Sequence, residues 1–171
     1  MITSTMNPTT IIATIHPKMR SQVAEQLRKI QGITYSSPLT GRFDFAIELK
    51  AADPKQVYEV IKQVRSITGV TSTRTYTPFE GFANGKNIQP TDALALVLLR
   101  VNEQTQALRV LQSMEQYPQV RNAYVVPGEI DILATVYGKN QEEVLSQVSK
   151  IDDVDGVWAS ETLFAYMPKW Q

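Results

Sequence analysis

Two aspartates stand three residues after a glycine in segments that resemble each other, Gly41-Arg42-Phe43-Asp44 and Gly128-Glu129-Ile130-Asp131. Glycine at a hairpin turn supplies the positive φ such turns demand. The same lack of a side chain lets a ligand carboxylate approach backbone N–H groups. Each aspartate falls one residue into an alternating strand, on the side opposite Phe43 and Phe45 or Ile130 and Ile132, which is the side turned away from the helices. A carboxylate there needs a partner, because an unpaired buried charge costs about 3–5 kcal/mol. A ligand ammonium group would serve. So would Arg42, Arg74, Arg100 or Arg121, in a structural ion pair, or a turn hydrogen bond. Arg42 and Glu129 hold matching places in the two turns, so the two sites are chemically unequal.

Thr75 and Thr162 carry hydroxyls that could donate to a ligand, although strands favour threonine in any case. His16 is the single histidine and ends a strand just before Pro17; metal sites need several clustered ligands, so it reads as a loop residue. The chain has no cysteine, which removes disulfides, thiolate metal sites and cysteine nucleophiles. No Walker loop, dinucleotide fingerprint, zincin helix or nucleophile elbow is present. The expectation is a non-enzymatic protein with no cofactor and no metal.

The elements that must position these residues come in two similar halves. Offsetting the chain by the spacing of Asp44 and Asp131 aligns the halves without gaps from about Ile33 onward, with Val57 on Val144, Gly69-Val70 on Gly156-Val157 and Thr75 on Thr162. In the first half Thr9–Ile15 is rich in β-branched residues. Val23, Leu27 and Ile30 stripe a helix stopped by Gly32. Ile33–Leu39 and Arg42–Lys50 form a hairpin through Thr40-Gly41, the second arm alternating with period two. Asp53-Pro54 supplies an N-cap and a first-turn proline for a helix carrying Val57, Val60, Ile61, Val64 and Ile67. Val70–Thr77 is the last strand.

The second half repeats the plan: strand Ala93–Val101, a helix with Ala107, Val110, Leu111 and Met114, and a hairpin of Val120–Val126 with Glu129–Tyr137 turned at Pro127-Gly128. Asn140 caps a helix with Val144, Val148 and Ile151, and Val157–Tyr166 closes the unit. Pro78, Gly81, Asn84-Gly85 and Pro90 mark a linker. The expected domains are 1–79 and 93–171, joined by a linker at 80–92. Strand–helix–strand–strand–helix–strand is the split βαβ arrangement, so the fold class is α+β: two tandem ferredoxin-like βαββαβ units with antiparallel four-stranded sheets.

The run Ala93-Leu94-Ala95-Leu96-Val97-Leu98-Leu99 does not alternate, so both faces of that sheet are expected to be buried, one by helices and the other by a second sheet packed face to face. Seventeen basic residues balance seventeen acidic ones. A neutral chain lacks the electrostatic footprint of a protein that grips nucleic acid phosphates by itself. The N-terminus has neither the charge nor the apolar stretch of a signal peptide, and the longest apolar run is far too short to cross a bilayer. A cytoplasmic protein without membrane or direct nucleic-acid contact is expected.

With those residues in place, the chain resembles the ligand-binding (RAM) domain of the Lrp/AsnC transcription regulators, twice over, from about Thr9 to Tyr166. The resemblance rests on Tyr124-Val125-Val126-Pro127-Gly128-Glu129-Ile130-Asp131, Gly156-Val157 and Thr162, and in the first copy on Gly41-Arg42-Phe43-Asp44, Gly69-Val70 and Thr75. It implies sheets packed face to face in the manner of a dimeric α/β-barrel, a homo-oligomer, and an amino-acid-like effector bound beside the Gly-x-x-Asp turns. It thereby implies ligand contacts from Gly41, Arg42, Asp44, Thr75, Gly128, Glu129, Asp131 and Thr162. Family members carry an N-terminal helix-turn-helix that the short stretch before Thr9 does not accommodate, so a stand-alone sensor is expected. A full-length Lrp-type regulator is a further candidate partner. The competing readings are a haem-binding or enzymatic barrel, with His16 as axial ligand, and a ligand-free assembly partner of such regulators.

Overall fold

The β-branched run Thr9–Ile15 becomes an interior strand of its sheet. In a computed structural model that describes residues 7–84, 92–103 and 106–165, the chain divides into two units, one ending at Thr77 and the other starting at Pro78.

The first unit runs β1 (Thr9–Ile15), a 3-10 turn (Pro17–Met19), α1 (Arg20–Leu27), β2 (Ile33–Pro38), β3 (Phe45–Leu49), α2 (Pro54–Ser66) and β4 (Val70–Tyr76). Its antiparallel sheet has the order β2-β3-β1-β4. That is the ferredoxin-like arrangement. Helix α2 starts where Asp53 accepts a 2.9 Å hydrogen bond from the Gln56 N–H, with Pro54 in the first turn, as its sequence predicts. Val60 and Val64 of α2 and Val23 and Leu27 of α1 pack on Ile11, Ala13, Ile15, Phe45, Ile47 and Leu49. The opposite face is also withdrawn from water: Ile12 and Ala46, a registered pair, are 1% and 3% exposed.

The second unit runs β5 (Glu80–Ala83), β6 (Ala93–Val101), α3 (Ala107–Met114), β7 (Val120–Val125), β8 (Ile132–Gly138), α4 (Gln141–Asp152) and β9 (Val157–Ala165). Its sheet has the order β5-β7-β8-β6-β9. Asn140 caps α4 by accepting from the Glu143 N–H at 2.8 Å. Ala95, Val97 and Leu99 of β6 join the core beneath α3 and α4. Leu94, Leu96 and Leu98 point the other way and are buried as well. Both faces of β6 are dry, which is why its apolar run is unbroken.

Two expectations need correction. The second sheet has five strands rather than four, because Glu80–Ala83, read as linker, pairs antiparallel with β7 from Glu80 opposite Val125 to Ala83 opposite Asn122. Gly81 and the flanking Pro78 disguise it in the sequence; its partner is the otherwise open backbone edge of β7. The remainder of that linker, residues 85–91, lies outside the described residues, as does Tyr166 at the expected end of the last strand. The second correction concerns the hairpins. β3 starts at Phe45 rather than Arg42, and β8 at Ile132 rather than Glu129. Phe43 and Ile130 are buried, yet neither joins the helix-side core that holds Phe45 or Ile132. The ring centroid of Phe43 instead lies 4.5 Å from the Arg42 guanidinium carbon and 5.1 Å from that of Arg74, a residue registered opposite Ile12 on the far face.

Candidate functional site

The two glycine turns carry out one backbone construction twice. The Leu39 N–H donates to the Asp44 carbonyl at 2.8 Å, and the Asp44 N–H to the Ala13 carbonyl at 2.9 Å. In the second copy the Val126 N–H donates to the Asp131 carbonyl at 2.9 Å, and the Asp131 N–H to the Leu99 carbonyl at 2.9 Å. The first bond of each pair closes the turn across its hairpin, and the second fastens it to the central strand. Gly41 and Gly128 have φ of 112° and 154°, so both turns use the conformation the sequence reserved for glycine.

The aspartate side chains finish the construction. Register slips between Thr14 and Ile15 in β1 and between Arg100 and Val101 in β6. The extra residue of each slip lies in the outer strand, Thr71 of β4 and Trp158 of β9. The Ile15 and Val101 N–H groups face the other side, past the ends of β3 and β8, and so have no ladder acceptor. Asp44 Oδ2 accepts from the Ile15 N–H at 2.7 Å, and Asp131 Oδ2 accepts from the Val101 N–H at 2.8 Å. The carboxylates therefore turn toward the strand end, where alternation along a regular strand would have aimed them straight out of the far face.

Beyond this shared bond the copies part. Arg20, the first residue of α1, donates from Nη2 to Asp44 Oδ1 at 2.9 Å, with the Arg20 and Asp44 side chains 50% and 18% exposed. The corresponding first residue of α3 is Ala107, which is buried in the helix-side core. The correspondence is fixed by packing. Val23 and Val110 approach the positive-φ glycines Gly69 and Gly156 at 3.2 and 3.4 Å from where a Cβ would stand. Among the described residues, Asp131 Oδ1 has no partner. Sequence reasoning did not single out Arg20; a basic first-turn residue just past β1 was the available signal.

The remaining expected site residues do not gather at the carboxylates. Thr75 lies opposite Ile11 in β4, and Thr162 opposite Val97 in β9. Each is four residues back along the central strand from Ile15 or Val101, about 13 Å at strand rise. Both partners are helix-side core residues, so the threonines face the helices. Arg42 and Glu129 are exposed at their turns. His16 is exposed and caps the 3-10 turn, its Nδ1 accepting from the Lys18 N–H at 3.3 Å. Among the described residues no group of acidic or histidine side chains is arranged to hold a metal. A cleft of about 570 Å³ in the first unit, with Gln26 of α1, Lys29 just past that helix and Gln63 of α2 on its walls, includes none of the expected site residues. No described helix is long and apolar enough to cross a membrane.

The duplicated turn, carboxylate and bulge agree with the comparison to known families. The model of the Lrp/AsnC ligand binding domain matches residues 10–87 and again residues 94–168. The chain belongs to this family. It carries the Lrp/AsnC ligand-binding domain twice in tandem, as the sequence resemblance implied. No curated protein sequence matches it. Among solved structures, the siroheme decarboxylase NirDL superposes with a TM-score of 0.72 at 11% identity, covering 95% of this chain and 72% of the decarboxylase. The same decarboxylase in complex with an iron-uroporphyrin III analogue gives 0.70 at 11% identity, with the same coverage. A mutant chlorite dismutase from Candidatus Nitrospira defluvii in complex with cyanide gives 0.64 at 10% identity, covering 94% of this chain and 90% of the dismutase. At such identities the likeness is one of fold. It nonetheless overturns the expectation of a non-enzymatic protein: enzymes share this fold over nearly the whole of the chain, so the lack of cysteine and of clustered histidines does not exclude catalysis.

Proposed function

We propose that the chain is a ligand-responsive regulatory module of Lrp/AsnC type, whose effector is a small amino-acid-like molecule held at the second turn, Pro127–Asp131. The observation that carries this reading is the Asp131 carboxylate, one oxygen committed to Val101 and the other without a partner among the described residues. Around Gly128 no heavy atom comes within 4 Å of the position a Cβ would take, which leaves room for the body of a ligand. A ligand ammonium donating to Oδ1 would add a charge-assisted hydrogen bond. Glu129, exposed at the same turn, is assigned a secondary contact, and Thr162, on the helix side about 13 Å along the strand, is assigned none. The output is a change in homo-oligomeric state or in affinity for a full-length Lrp-type regulator, with coupling of about 1–3 kcal/mol.

A thermal-shift screen of the common amino acids on the wild-type chain and on Asp131→Asn tests this. A rise in melting temperature for one or a few amino acids, lost in the variant, is the expected result. Equal response of both proteins removes the turn from the site, and no response from any amino acid removes the reading.

A second reading is favoured by the superposition on the decarboxylase bound to an iron-uroporphyrin III analogue. In it the chain binds a tetrapyrrole, and His16 is the one histidine or cysteine able to ligate iron. Titration with iron-uroporphyrin III or haemin, followed by Soret absorbance in wild type and His16→Ala, decides it. A Soret shift that vanishes in the variant supports the reading, and an unchanged free-ligand spectrum excludes it.

A further inference from the structure

We infer that Arg20 is a built-in occupant of the first copy's ligand position, and that the vacant second position takes a small guanidinium-bearing molecule. This rests on the reading above and narrows its ligand class.

The two copies agree wherever backbone is concerned. Each closes its turn through the aspartate carbonyl, fastens it to the central strand through the aspartate N–H, and spends one aspartate oxygen on an N–H at that strand's end. At the aspartate they differ in the other oxygen. In the first copy it is met by a guanidinium Nη2 at 2.9 Å, carried on a side chain that is half exposed and so enters the site from its open side. A guanidinium is a planar, permanently charged fork of donors, and its fit to a carboxylate is geometric as well as electrostatic. Among the described residues nothing comparable reaches Asp131. Ala107 replaces Arg20, and the connection between strand and helix is one residue longer in the second copy, residues 102–106 against 16–19. The nearby Arg100 has its guanidinium carbon 5.9 Å from the Trp158 ring centroid. One duplicated carboxylate thus shows which group its twin was shaped around. One position is closed by the chain itself, and the other is left to accept the same chemical group from solution.

Isothermal titration with L-arginine, and with L-citrulline as its uncharged isostere, tests the assignment. The wild-type chain is expected to bind one arginine, with citrulline weaker by about tenfold or more, the loss typical of a charge-assisted hydrogen bond. Asp131→Asn should abolish that site. Arg20→Ala should raise the stoichiometry to two, and Arg20→Ala/Asp44→Asn should return it to one; amide spectra verify that each variant is folded. Citrulline binding as tightly as arginine, or Arg20→Ala remaining at one site, overturns the inference. If another amino acid binds in an Asp131-dependent way while arginine does not, the inference falls and the effector reading stands. If no amino acid binds, both fall.

Discussion

The Ile15 N–H and the Asp44 carboxylate, 29 positions apart in the chain, are joined by a 2.7 Å hydrogen bond. Val101 and Asp131 repeat it at 2.8 Å. These bonds hold each glycine turn against the end of its central strand, so they bear on stability before they bear on any ligand. Replacing either aspartate by alanine leaves a part-buried N–H without an acceptor, at about 1–3 kcal/mol. Asp44→Ala should cost more than Asp131→Ala, since it also breaks the Arg20 pair, though the exposure of Arg20 keeps that increment below about 1 kcal/mol. Urea denaturation of the two variants checks both size and order.

Gly69 has φ of +104°, and a Cβ there would stand 2.9 Å from Met19 Cβ. Alanine therefore meets both backbone strain and a collision with an element that cannot swing aside. Gly128→Ala meets the strain alone, because nothing lies within 4 Å. Thermal melts should place Gly69→Ala well below Gly128→Ala, with the Gly128 loss at about 1 kcal/mol.

Asp53 and Asn140 cap α2 and α4 through bonds of 2.9 and 2.8 Å. Asp53→Ala and Asn140→Ala should each destabilise by about 1 kcal/mol, and Asp53→Asn or Asn140→Asp by far less. Chemical denaturation resolves this difference, and an alanine variant as stable as wild type would show that the cap is idle.

β5 makes a concrete claim about a stretch that reads as linker. The Phe79 N–H donates to the Val125 carbonyl and the Asn84 N–H to the Arg121 carbonyl, both at 2.8 Å, bracketing the pairing with β7. Hydrogen exchange should find the amides that donate to β7, Phe79 and Asn84 among them, protected. Exchange as fast as in an unstructured peptide would remove the fifth strand.

How much of this is legible in the sequence follows from which signals are local. The stripe of α2 and its Asp53-Pro54 start are written within one segment, and the structure has both where the sequence puts them. The duplication is visible from Ile33 onward because matching residues keep one spacing there; β1 and β6 fall out of step by a residue, since residues 102–106 are one longer than 16–19. The fate of Phe43 and Asp44 is not legible. Alternation presumes a regular strand, whereas the open Ile15 N–H, far away in sequence, calls the carboxylate aside. Arg20 escapes notice for the same reason, its partner being 24 residues on. β5 exists by virtue of an open edge on β7, and nothing in Glu80–Ala83 announces that edge.

The central claim is that an effector lodges at the second turn and spares the first. Backbone amide NMR of the wild-type chain, with the amino acid that raises its melting temperature added stepwise, measures this directly. Resonances of Val101, Gly128 and Asp131 should move in proportion to occupancy while those of Ile15, Gly41 and Asp44 stay in place. Shifts confined to other residues, such as Gln26 and Gln63 at the α1–α2 cleft, with Val101 and Asp131 unmoved, would contradict the account.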